Sequence, residues 1–470
     1  MVSTIMAPAI NTIAHELNMN SAESVMALSI YLLATAFGPL VIGPLSEVYG
    51  RAPILHASNV WFLVWNIVCG FARNKETLIA ARFLAGFGAS AIYALAGGVL
   101  GDIWRPEQRG KSLGIYLLIP LLGAAVGMAV CRRIRSGIEY SLTSWMIRSD
   151  HWRFHGGPHD LEMVSSIGFH DVQYEPKLIH LIERMFWSTS AFQGVMIIAS
   201  FVAFQEPHAP TVLRRRAEKK RSDTGDQRYL TAAERTSAEV STTQIIGRSL
   251  SRPLRLLAFH PIIQILSILS ALSYGLLYIA LATFSELFVT AYNQSVEISG
   301  LHYIAVALGE ISGSQMGGPL MDKIFRKLQN GPDDPGAPEY HIPIMLPGAF
   351  IAPAGLLIYG WAAQSHTHWI VVDIGMFIMT FGLQVAGMPI QAYIIDAYPD
   401  HASSAAGASQ FLRSLSAFTF PLFAPAMYRA LGYGWGNSVL ALFALLVGVP
   451  APLILWRYGA RLRARGGVSI

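Results

Sequence analysis

Seven charged residues stand in or beside long apolar runs of this chain: Glu47, Arg51, Arg82, Asp102, Glu310, Asp322 and Arg413. A charge in such a run costs several kcal/mol unless it meets an opposite charge, protein dipoles or water, so each is a candidate for ion or proton handling. Glu310 lies near the middle of its run, where a buried carboxyl can carry a proton; a structural carboxyl tied to a neighbouring helix is the competing reading. Arg82 opens RFLAGFGAS, 82–90, and fits either a functional guanidinium or one that snorkels to the interface. Arg413 sits a third of the way into its run, placed to hold a backbone or acidic partner. No nucleophile, paired acid or metal constellation accompanies them, which argues against an enzyme. His151, His155 and His159 share a helical spacing, but no carboxylate or cysteine pattern completes a metal site, and no cofactor is implied.

The elements that hold these residues must be membrane helices. Of 470 residues, 53% are apolar and only 13% charged, against about 25% charged in ordinary soluble proteins. Runs near 20 residues recur, each long enough to cross a hydrocarbon core of about 30 Å. The two cysteines, Cys69 and Cys131, cannot form a disulfide framework. The net charge of +5 is concentrated in Pro207–Arg255, where 11 Lys and Arg oppose 5 Asp and Glu, leaving the remainder at 23 against 24, or −1. By the positive-inside tendency that segment is a cytoplasmic loop. Its basic run LRRRAEKKR lacks interleaved aromatics, so nucleic acid is not an expected partner.

The stretch GPLSEVYGRAPIL, 43–55, interrupts two apolar runs. Gly43 and Gly50 suit a close turn, Pro44 and Pro53 break helix, and Glu47 and Arg51 set opposite charges where two spans leave the bilayer. A similar string returns as GPLMDK, 318–323, with Gly318, Pro319, Leu320 and Asp322 in the places of Gly43, Pro44, Leu45 and Glu47. Two homologous halves would each carry one copy. These residues resemble the loop between spans 2 and 3 of the major facilitator superfamily, with Glu47 where that family commonly has Asp. RFLAGFGAS resembles the family's Arg-containing fourth-helix motif. PEYHIPIMLPGAFIAPAGLLIYGWAAQ (338–364), QAYIIDAYPDHASSAAGASQFLRSL (391–415) and FPLFAPAMYRALGYGWGNSVLA (420–441) are similar to its twelve-span drug:proton antiporter branch, the fungal multidrug exporters.

The resemblance implies an all-α membrane protein of major facilitator fold, with two pseudo-symmetric six-helix bundles. Expected here are about 11 complete spans plus a stub of span 1 at MVSTIMAPAINTIA, 1–14. The divisions are 1–206 for the first bundle, 207–256 for a cytoplasmic central loop, 257–457 for the second bundle and 458–470 for a cytoplasmic tail. Span 5 keeps only a degraded form of the antiporter motif, IPLLGAAVGMAV, with Gly123 and Gly127 as a small-residue step. Residues 131–184 form an atypical stretch without a span, either an extracellular insertion or, the preferred reading, an altered gene product such as a retained intron. Arg132, Arg133 and Arg135 would then lie outside, against the usual charge rule. Asp102 lies where a partner for Arg51 is needed, as the resemblance implies a charge cluster at the inner surface.

By the same resemblance, spans 4, 5, 7, 8, 10 and 11 line a cavity near the midplane, and Tyr93, Tyr116, Tyr274, Tyr278 and Gln384 are substrate-cavity candidates beside Glu310 and Arg413. Glu47, Arg51, Arg82, Asp102, Glu310, Asp322 and Arg413 are the candidates for proton coupling or the conformational switch. The implied function is proton-coupled efflux of drugs, toxins or secondary metabolites by alternating access, with a small-molecule substrate, protons and the lipid bilayer as partners and a monomer as the working unit. The plasma membrane is the expected site, the vacuolar membrane the alternative. An uptake carrier for polyamines or sugars is the nearest rival; a non-transporting truncated remnant is the reading from another class.

Overall fold

The computed structural model describes residues 17, 19–118, 175–231, 234, 242–329, 331 and 336–466. The expectations for residues 1–14, Gly123 and Gly127 and the three histidines lie outside these residues. What is described folds into helices joined by short turns. In hydrocarbon every backbone amide needs a partner, and a helix supplies them within one segment.

The first bundle runs through α1 (Ser21–Tyr49), α2 (Arg51–Gly70), α3 (Lys75–Ala89), α4 (Ala91–Ile103), α5 (109–118) and α6 (Glu175–Ala203). Asn20 starts α1 with a capping box: its side chain accepts from the Glu23 amide at 2.8 Å while Glu23 accepts from the Asn20 amide at 2.9 Å. Asn74 caps α3 in the same sense through the Thr77 amide, 2.9 Å away. A connector follows, with α7 (Ala209–Thr224) exposed along its length and α8 (Thr242–Phe259) leading into the second bundle. That bundle comprises α9 (Pro261–Ala291), α10 (Tyr303–Leu328), α11 (Met345–Gln364), α12 (Trp369–Ala397), α13 (Ala402–Gly448) and α14 (Pro450–Gly466).

Among the described residues seven stretches are long and apolar enough to cross a membrane: Ser29–Tyr49, Arg51–Gly70, Lys75–Ile103, Pro261–Ala291, Pro338–Gln364, Trp369–Ala397 and Pro399–Ala464. The third is expected span 4, broken at Ser90 into α3 and α4. The last holds two crossings, because α13 breaks at Gly432, whose φ of 70° only glycine adopts without strain. The chain reverses there: Tyr428 before the break donates to Asn437 Oδ1 after it at 2.8 Å and stacks on Tyr433, ring centroids 4.5 Å apart. Helix α10 carries Glu310 and a charged end, so it is more polar than these seven.

Three expected boundaries move. Gly43, Pro44 and Pro53 do not make a turn: the first two lie inside α1 and the third inside α2, and the chain bends only at Gly50, with φ of 100°. Gly318 and Pro319 likewise lie inside α10. Proline tolerates such positions in membrane helices when neighbouring helices, hydroxyls and local adjustments satisfy the freed backbone groups. Helix α6 begins at Glu175, so the last ten residues of the stretch expected to lack a span are helical.

The halves meet along α1 and α13. Thr35 Oγ1 lies 3.0 Å from Ser414 Oγ, and the Phe37 and Phe411 rings meet edge to face at 5.6 Å. Within the second bundle, glycines let helices touch backbone to backbone. A Cβ on Gly309 or Gly313 would sit 2.6 or 2.8 Å from the Phe377 or Phe381 carbonyl, so these small residues let α10 pack closely on α12.

Candidate functional site

The face that carries the connector is closed by side chains reaching from one bundle to the other. In the first corner Glu47, on the last turns of α1, accepts from the Ser404 amide at 2.8 Å and the Ser404 hydroxyl at 2.7 Å. Ser404 lies in the first turn of α13, whose unpaired amides carry the positive end of the helix dipole. Arg252 of α8 donates to the same carboxylate at 3.0 Å. Arg51, 1% exposed, reaches Asp102 at 3.1 Å, Ser46 Oγ at 2.7 Å and Ser403 Oγ at 2.8 Å. Gly98 makes the space, since a Cβ there would lie 2.6 Å from the guanidinium carbon. Glu206, just past α6, accepts from the Arg51 and Ala52 amides at 2.9 and 3.0 Å, satisfying the start of α2. Between α6 and α7, burial and then the Arg51 charge hold the His208 imidazole below its usual pKa.

The second corner repeats the plan. Asp322, 2% exposed, accepts from the Gly110 and Lys111 amides at 2.7 and 2.9 Å, at the start of α5. Gly318 abuts the Gly110 carbonyl as Gly43 abuts that of Ser403. Beside this corner Arg109 pairs with Asp396, and fully buried His341 meets the other Asp396 oxygen at 2.7 Å. Gln329 donates to Glu107 at 3.2 Å, adding another link between the halves.

Above the closed face lies a cavity of about 560 Å³, part of it open to solvent, walled by α5, α9, α10, α12 and α13. Four expected site residues line it: Tyr274, Glu310, Gln384 and Arg413. Arg413 donates to the Tyr274 hydroxyl and lies over that ring, 3.5 Å from its centroid; the Tyr93 ring of the first bundle is 5.6 Å away. Tyr278 stacks on Tyr274 at 6.3 Å, and Tyr116 donates to the Ile92 carbonyl at 3.0 Å, tying α5 to α4. Arg82 is not part of this group. It is buried inside the first bundle, 5.6 Å from the Tyr31 ring.

Sequence reasoning missed part of the lining. Thr380, Gly387 and Gln391 join the expected Gln384 at helical spacing on one face of α12, and Ser270, Ser273 and Leu277 join the expected Tyr274 on one face of α9. Polar groups at i, i+4 and i+11 of an otherwise apolar helix are a signal that periodicity alone could have supplied. The Arg109–Asp396 pair had no comparable signal, because it depends on which helix ends the topology brings together.

A chamber between two helical halves, sealed at one mouth by helix-start contacts and lined by both polar and apolar side chains, is the architecture of a membrane transporter. Residues 1–132 and 180–421 match the Major Facilitator Superfamily, and the chain belongs to that family. It is an all-α, multi-pass membrane protein of the major facilitator fold. It is similar to the probable efflux pump mfs2 of Aspergillus flavus, 51% identical over 461 residues that cover 98% of this chain and 99% of that protein. The efflux pump vrtL of Penicillium aethiopicum is 38% identical over 98% of this chain and 83% of its own. The solved proton:xylose symporter XylE shares the fold with a TM-score of 0.64 at 15% identity, covering 97% of this chain and 92% of that one.

Proposed function

We propose that this transporter exports small, largely apolar organic compounds, drugs, toxins or secondary metabolites, in exchange for protons. The observation that carries the reading is the carboxyl of Glu310 in a chamber whose described lining is otherwise neutral, polar and apolar side chains alike, apart from Arg413. Such a carboxyl can take a proton while the chamber faces the acidic side and give it up on the other side. The efflux-pump names of the relatives support the direction. The connector, with its excess of Lys and Arg, is assigned to the cytoplasm, so the closed face is the inner one and the chamber releases its cargo outward. Glu47, Arg51, Asp102 and Asp322 hold that inner face shut, and the halves rock when these contacts part. The working unit is a monomer in the plasma membrane.

The test is transport by the full chain in proteoliposomes under an imposed pH gradient. Glu310→Gln is expected to abolish gradient-driven movement of a fluorescent hydrophobic dye while leaving yield and thermal stability intact. Unchanged transport by that variant removes Glu310 from proton coupling, and a gradient that loads substrate against the expected direction makes the protein an uptake carrier.

A further inference from the structure

Helix α8 presents two different faces. Ser249, Pro253 and Leu256 are buried, and Leu256 packs with Ile262, Ile263 and Leu266 of α9. From the edge of that buried face Arg252 reaches Glu47. The opposite face exposes Arg248, Ser251 and Arg255 together with two large apolar side chains, Leu254 at 51% and Phe259 at 72% exposure. Phe259 ends α8, His260 turns the corner in an extended conformation, and Pro261 begins a membrane-spanning helix. The apolar side chains therefore emerge at the level where the chain enters hydrocarbon. Nearby α7 adds exposed Arg214, Arg215, Arg216, Lys219 and Lys220 and buries nothing.

Basic residues mixed with an aromatic and a leucine at a span's entrance suit one partner: the surface of an anionic leaflet. Phosphate headgroups would meet the arginines and the acyl boundary would take Phe259 and Leu254. We propose that α8 is a membrane-surface helix that binds anionic lipid and that, through Arg252, lipid occupancy holds Glu47 on the start of α13. Anionic lipid then favours the state with the connector face closed. The proposal rests on the transporter reading of the fold but not on Glu310 or on the direction of transport.

The full chain is reconstituted in nanodiscs of phosphatidylcholine with increasing phosphatidylserine. A Phe259→Trp variant reports insertion through quenching by brominated acyl chains. Spin labels at Tyr49→Cys and Asp400→Cys, both exposed beside the first corner, report closure. The expected result is a quenched Trp and a closed population that grows with phosphatidylserine. In Arg248→Gln/Arg255→Gln the phosphatidylserine content needed for half of that growth should rise by about tenfold or more, at about 1 kcal/mol per surface arginine. In Arg252→Gln quenching should persist while closure no longer follows lipid composition. An unquenched Trp, an unchanged lipid dependence in the double variant, or inorganic phosphate reproducing the effect in pure phosphatidylcholine would each overturn the proposal.

Discussion

At one corner of the connector face Glu47 takes the Ser404 amide at 2.8 Å; at the pseudo-equivalent corner Asp322 takes the Gly110 and Lys111 amides at 2.7 and 2.9 Å. Both acids follow a glycine that touches the facing helix start, by the same four residues, and both meet the positive end of a helix. The corners part three residues later. Gly50, at φ of 100°, ends α1, so Arg51 begins a new helix and turns inward to Asp102 and Ser403. The matching position in the second half is Phe325, fully buried and helical; α10 runs on to Leu328, and Arg326, the counterpart of Arg51, stays exposed. One residue, glycine or phenylalanine, thus decides whether an arginine joins the latch. The first corner is also wired to the connector by Arg252, whereas Asp322 serves as a cap for α5.

The sharpest way to break this comparison is Arg51→Ala. It removes a buried guanidinium that bonds Asp102, Ser46 and Ser403, and charge-assisted bonds of this kind are worth about 1.5–3 kcal/mol each. Transport should fail while substrate binding persists; lost binding with normal exchange would contradict the assignment. The counterpart Arg326→Ala should leave transport near wild type. A smaller effect separates the two acids. Glu47→Gln and Asp322→Asn each weaken charge-assisted bonds worth about 1.5–3 kcal/mol. Only the first should also uncouple the connector, seen as faster proteolysis of α8; equal cleavage in both variants would erase the distinction. The smallest effect concerns pH. The folded state disfavours charge on His208, so below about 6.5 the unfolded chain binds a proton that the folded one refuses. That share of stability is present above this value and lost as pH falls. Melting temperature should therefore drop less between pH of about 7 and 5.5 in His208→Gln than in the wild type. Identical slopes would remove His208 from the corner.

The spans were legible as apolar runs, and the repeat of GPL with an acid two positions on was legible as two halves. The bends were not, because glycine and proline carry one meaning in water and another in a packed helix: Pro44 and Pro319 read as breakers yet sit mid-helix, while the bend falls at Gly50. Glu310, Gln384, Arg413 and Tyr274 could be picked out as polar groups on apolar helices, and they share one chamber. Their distance from Arg82 could not be read, since its helix turns that side chain into the first bundle toward Tyr31. Nor could the partners of Glu47 and Asp322, which are backbone amides of helix starts and carry no signature in residue type.

The reversal at Gly432 has a mechanical corollary. With Tyr428 and Asn437 bonded across a one-residue link, the two arms of α13 are joined by little slack, which favours their swinging together. A pull on Ser404 at one end is then carried through this joint toward the far arm.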